Sequence, residues 1–62
     1  MIGKKIKSLR KKSGLTQKKL ADSMGITHQS ISDWELGKKK PTLETLKKIA
    51  GALGISVSTL IE

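Results

Sequence analysis

The chain has no cysteine, tyrosine or phenylalanine, and only one tryptophan and one histidine. Without cysteine there is neither a disulfide framework nor a thiolate metal site, and a single histidine does not make a metal site by itself, so no metal or cofactor is implied. The shortage of aromatics removes the stacking platforms expected of a coat for RNA or other single strands. Long apolar runs are missing too. Ile2, Ile6 and Leu9 are separated by charges, which excludes a signal peptide, and no stretch approaches the ~20 apolar residues of a membrane span. The strong apolar moment of an interfacial helix is also lacking. The expected setting is therefore cytoplasmic, with no membrane. Acidic residues are scarce: five stand against thirteen lysines and arginines, giving a net charge of +8 and a sequence pI of about 10.1. That balance favours a polyanionic partner, with nucleic acid ahead of an anionic membrane surface. At 62 residues the chain has only enough surface to bury for one core, so residues 1–62 read as a single domain.

What is present is a helical period. Ile2, Ile6 and Leu9 recur at spacings of four and three among lysines, predicting a first helix stopped by Ser13-Gly14. Thr16 is a candidate N-cap for a second, with Leu20 and Met24 on one stripe and Gly25 at its end. Thr27 is a candidate N-cap for a third, whose buried side carries Ile31 and Trp34 and which closes at Gly37. After the charged connection Lys38, Lys39, Lys40 and Pro41, Thr42 caps a fourth helix with Leu43, Leu46, Ile49, Ala50 and Leu53 as its apolar stripe. Gly54 ends that helix, Ser56 caps a short fifth, and Val57, Leu60 and Ile61 are expected to return to the core. No strand alternation or repeat interrupts this pattern, so the fold class is all-α.

From Gln17 to Leu36 the sequence reads QKKLADSMGITHQSISDWEL. Leu20, Met24, Ile26, Ile31 and Trp34 form an inward set, Ala21 permits close approach of two helices, and Gly25 suits a corner with positive φ. Size, spacing and turn chemistry together describe a helix-turn-helix at helices 2 and 3. Over the whole chain the sequence resembles the Cro and phage-repressor (Xre-like) family of DNA-binding domains. The resemblance rests on LTQKKLA at Leu15 to Ala21, the MGI corner, SISDWELGKKKPTLETL at Ser30 to Leu46 and ALGIS at Ala52 to Ser56. It implies a lambda-repressor-like bundle of five helices, a third helix entering the major groove of double-stranded DNA, and homodimers on two-fold operators that control transcription, most often by repression. By the same resemblance, Ile55, Val57 and Ser58 are a candidate self-association surface, with a dimer that so short a chain could form only on DNA.

At about 100° per residue, Gln29 and Leu36 point away from the Ile31 and Trp34 stripe, with Ser32 and Asp33 beside Gln29 and His28 at the helix entrance. His28, Gln29, Ser32 and Asp33 are therefore the candidates for base readout. The Gln29 amide suits the N6 and N7 edge of adenine. Asp33 either accepts from cytosine N4 or orients a neighbouring base reader. Leu36 meets a thymine methyl or packs on the loop. Candidate phosphate contacts are Gln17, in the first turn of helix 2 where the family's matching glutamine touches the DNA backbone, and Ser30, Lys38, Lys39 and Lys40.

Other residues have structural readings. Trp34 is expected to pack in the core with its indole N–H near the surface, Met24 to fill it, and the helix 1 lysines to form a solvated face. Arg10 and Glu35 suit an ion pair between helix 1 and the end of helix 3, a position at which domains of the family it resembles carry similar charges, the alternative being two solvated side chains. Ser30, His28 and Asp33 include triad residue types, but their helical spacing does not give nucleophile, base and orienter geometry, so an enzyme is not expected. The competing class is a protein-interaction or assembly module in which the basic surface only solubilises the bundle. Such a module would be indifferent to changes at His28 and Gln29.

Overall fold

A computed structural model describes residues 2–62. Five helices follow one another: α1 (Ile2–Lys12), α2 (Gln17–Met24), α3 (His28–Leu36), α4 (Leu43–Leu53) and α5 (Val57–Ile61). No strand occurs among the described residues. The starts of three helices follow the sequence closely. Thr16, Thr42 and Ser56 have extended backbones, and their hydroxyls accept from the N–H groups of Lys19, Thr45 and Thr59, satisfying donors that the helix itself leaves free. Thr27 also occupies the N-cap position of α3, but its side chain makes no cap hydrogen bond. Its hydroxyl instead faces that of Ser30 at 3.2 Å.

The core draws on every helix: Ile6 from α1, Leu20 and Ala21 from α2, Ile31 from α3, Ile49, Ala50 and Leu53 from α4, and Leu60 from α5. Ile2, Leu9, Met24, Ile26, Trp34, Leu46, Ile55 and Val57 pack half-buried around it. Each large aliphatic side chain buried in this way contributes roughly 1.5–3 kcal/mol. α1 lies against α3 and α5, while α2 lies against α3 and α4, so α3 is held from two sides and its remaining face is left to solvent.

Two apolar residues depart from expectation. Leu43 and Ile61 are exposed. Leu43 begins α4 at the edge of the Leu46, Ile49, Ala50 and Leu53 arc, and Ile61 follows buried Leu60 by a single residue, about 100° around the helix.

Geometry requires glycine at the α2–α3 corner and at the contact of α1 with α3. Gly25 closes α2 with φ of 70°, and its N–H meets the carbonyls of Ala21 and Asp22, the left-handed cap that turns the chain toward α3. Gly3, in the first turn of α1, is buried. A Cβ there would stand 2.5 Å from the Trp34 carbonyl oxygen and 2.7 Å from that of Glu35. The end of α3 therefore sits directly on α1, with room for hydrogen only.

Candidate nucleic-acid interface

The site is built on the anchoring of α3. Arg10 donates from Nε to Glu35 Oε2 at 2.6 Å, from Nη2 to Glu35 Oε1 at 3.1 Å and from Nη1 to the Leu15 carbonyl at 2.8 Å. The two charged side chains are only 8% and 2% exposed. The sequence pairing of Arg10 with Glu35 is thus a buried, two-pronged ion pair in which each guanidinium nitrogen has a hydrogen-bond partner, the geometry in which such a pair is tolerated. It ties α1, the α1–α2 turn and α3 together.

Gln17 joins the same network. Its Nε2 donates to Glu35 Oε1 at 3.0 Å, and the residue is half-buried. Because a carboxylate only accepts, this bond fixes which end of the amide is nitrogen and leaves one N–H to point elsewhere. The sequence placed Gln17 at the start of α2 by its cap but gave no sign that Glu35 would hold it. Only the tertiary approach of α2 to the end of α3 reveals that.

Along α3 the outward face carries exposed His28 and Gln29 in its first turn, then half-buried Ser32 and Asp33, then exposed Leu36. Leu36 is 64% exposed. Gln29 Nε2 donates to Asp33 Oδ1 at 3.0 Å, a bond between residues four apart on one helix face. Asp33 Oδ2 lies 3.9 Å from Lys39 Nζ, and the Asp33 side chain is only 13% exposed whereas that of Lys39 is 73% exposed. The Asp33 carbonyl also receives the N–H groups of Lys38 at 2.9 Å and Lys39 at 3.3 Å, so the first two loop lysines are fastened to the end of α3. Lys38, Lys39 and Lys40 are exposed, and Ser30 is half-buried beside the Thr27 hydroxyl. Trp34 and Gly3 line a shallow hollow with Ile2, Gly37, Lys39 and Lys40, and Trp34 packs half-buried against the core.

The candidate residues therefore fall into four groups: an amide fixed to the buried ion pair (Gln17), a linked row on the outward face of α3 (Gln29, Asp33 and Lys39), exposed side chains at the two ends of α3 (His28, Lys38 and Lys40), and two half-buried serines on α3 (Ser30 and Ser32). No cluster of metal-ligating side chains occurs among the described residues, and no described helix is long and apolar enough to cross a membrane. An outward helix face with amide and imidazole groups, flanked by lysines, can present hydrogen-bond donors and acceptors to base edges and positive charge to phosphates.

The family model described as Helix-turn-helix (HTH_3) matches residues 6–60. The chain is 39% identical over 62 residues to the SPbeta prophage-derived uncharacterized HTH-type transcriptional regulator YonR of Bacillus subtilis (strain 168), covering 100% of this chain and 57% of that protein. It is 40% identical over 60 residues to the immunity repressor protein of Bacillus phage phi105, covering 97% of this chain and 42% of the repressor. Among solved structures it is similar to the biofilm master regulator SinR in complex with DNA, at a TM-score of 0.91 and 33% identity over 100% of both chains. The chain spans about half the length of the curated relatives it matches.

Proposed function

The chain belongs to the helix-turn-helix (HTH_3) family, and from that premise we propose that it is a sequence-specific reader of double-stranded DNA that regulates transcription as a repressor. The observation that carries this reading is its likeness, along the full length of both chains, to a regulator solved in complex with DNA. The relatives are transcriptional regulators and a phage repressor rather than enzymes, and the protein is not an enzyme. In this reading α3 enters the major groove, with His28 and Gln29 in its leading turn meeting base edges and Ser32 behind them. Gln17 offers its free N–H to a phosphate while Glu35 holds the other, and Ser30, Lys38, Lys39 and Lys40 touch the backbone to either side.

Binding as a homodimer on a two-fold operator completes the proposal. The domain measures 24 × 23 × 19 Å, narrower than the roughly 34 Å between half-sites one helical turn apart, so two copies fit side by side on one face of the duplex. Half-buried Ile55 and Val57 with exposed Ser58 are the proposed surface of contact, and the cytoplasm is the proposed setting.

Selection of sites from a randomised duplex pool at near-physiological salt, with a Gln29→Ala variant in parallel, tests the reading. Inverted half-sites one turn apart, relaxed in the variant at one position per half-site, are expected. Binding that enriches no sequence and simply vanishes with added salt would refute base readout and leave only nonspecific attraction.

A further inference from the structure

We propose that Asp33 reads no base itself but holds the Gln29 amide in the orientation that favours adenine over guanine. The inference rests on the reading of Gln29 as a base reader and assigns what sets its preference. A free glutamine amide is ambiguous. It can present oxygen and one N–H to the N6 and N7 edge of adenine, or turn its nitrogen to the two acceptors of guanine, O6 and N7.

In this chain the ambiguity is removed before DNA arrives. Gln29 Nε2 donates to Asp33 Oδ1 at 3.0 Å, and since a carboxylate can only accept, the nitrogen must face Asp33. One N–H is thereby occupied. What remains on the amide is one donor and one acceptor, the complement of adenine, and the two-donor presentation needed by guanine is withdrawn.

Asp33 is poorly placed to serve a base directly. Its side chain is only 13% exposed, and the oxygen not engaged by Gln29 lies 3.9 Å from Lys39 Nζ. That lysine also offsets a negative charge which phosphates would otherwise repel. The Lys39 backbone N–H donates to the Asp33 carbonyl at 3.3 Å, which keeps this stretch of the loop beside the carboxylate. The three residues form a chain running from the loop, through the carboxylate, to the reading amide. Asp33 is a positioning residue, and its effect belongs to the base facing Gln29.

The test is site selection from a randomised duplex pool by the unaltered chain and by Gln29→Ala, Asp33→Ala and Asp33→Asn, each checked for folding by circular dichroism. The unaltered chain is expected to select adenine at one position per half-site and Gln29→Ala to lose that preference. Asp33→Ala should keep every other position and admit guanine at this one, the adenine-to-guanine ratio falling about tenfold, the size of one charge-assisted hydrogen bond. Asp33→Asn, which keeps an acceptor oxygen at the same size, should restore part of the ratio. If Asp33→Ala instead relaxes a different position, Asp33 reads a base directly and the inference falls; it falls equally if no position changes. An unaltered chain that selects nothing, or a Gln29→Ala chain that keeps the full motif, overturns the reading of Gln29 and this inference with it, whereas a failure confined to the Asp33 variants overturns this inference alone. A measurement that needs no variant is the proton shifts of the Gln29 side-chain amide in the free protein. One proton displaced by the carboxylate is expected, and ordinary glutamine shifts would overturn the proposal.

Discussion

At the scale of single residues, the two buried charges carry the greatest risk to the fold. Glu35 accepts from Arg10 twice and from Gln17 once while almost wholly buried. Glu35→Ala strands the guanidinium without its counter-charge, and loss of one partner of a buried pair costs about 3–5 kcal/mol. Total stability for a domain this small is of the order of 3–9 kcal/mol, so Glu35→Ala is expected to lose half or more of it, with the urea midpoint shifted to much lower denaturant. The double variant Arg10→Met with Glu35→Leu, which leaves no stranded charge, should recover most of the loss, and equal damage in single and double variants would contradict this account. Gly3→Ala acts through space alone. Its Cβ would meet two backbone carbonyls that cannot swing aside, and overpacking of this kind costs about 1–3 kcal/mol. A thermal midpoint lowered by at least several degrees is expected. The Arg10 and Glu35 pairing was legible through the family resemblance, since related domains carry similar charges at that position. Gly3 was not, since a glycine near the start of a helix carries no mark of what will press against it. Nor could Gln17 announce its bond to Glu35, eighteen residues away, for the same reason.

At the scale of elements, the sequence specified where helices begin and end more reliably than which outer residues they bury. Threonine or serine before each apolar period located the starts of α2 to α5, and glycine after it the ends of α2 to α4, because caps are local chemistry. Leu43 and Ile61 were misplaced because a helical wheel reports direction, whereas burial at a helix end depends on whether a neighbouring helix extends that far. Thr27 shows a similar limit: it stands at the right position, but its hydroxyl pairs with Ser30 rather than with a backbone N–H. The difference between caps is measurable. Thr42, whose Oγ1 accepts from the Thr45 N–H at 3.1 Å, should cost about 1 kcal/mol on replacement by alanine. Thr27→Ala removes no such bond and should cost clearly less. Thermal denaturation of the two variants side by side decides it, and equal losses would show that the Thr27 hydroxyl caps α3 in solution. The outward row on α3 was partly legible by the same logic. Spacing identified His28, Gln29, Ser32 and Asp33 as one face, yet only coordinates distinguish a carboxylate free to reach a base from one enclosed between an amide and a lysine.

At the scale of the whole molecule, the net charge of +8 is distributed unequally in its effect. Arg10 and Glu35 neutralise one another inside the fold, and Asp33 is offset by Lys39, so the exposed surface presents lysines against few free carboxylates. Such a surface attracts duplex DNA at long range whatever its sequence, but only cations that displace condensed counterions at phosphates contribute to the salt dependence of binding, at about 0.9 in the log–log slope for each phosphate neutralised. This separates steering lysines from contacting ones. Lys38→Ala and Lys40→Ala, beside α3, are each expected to weaken binding to all sequences alike and to reduce the slope by about 1. Lys7→Ala or Lys11→Ala, on the exposed side of α1, should slow association while leaving the slope nearly unchanged, because charge acting through solvent alters encounter more than it alters counterion release. Fluorescence anisotropy titrations of a labelled duplex at several salt concentrations measure the slope, and stopped-flow anisotropy measures the association rate. Should the α1 lysines reduce the slope as much as Lys38 and Lys40 do, the DNA would have to lie across α1 as well, and the docking of α3 along a single groove would have to be redrawn.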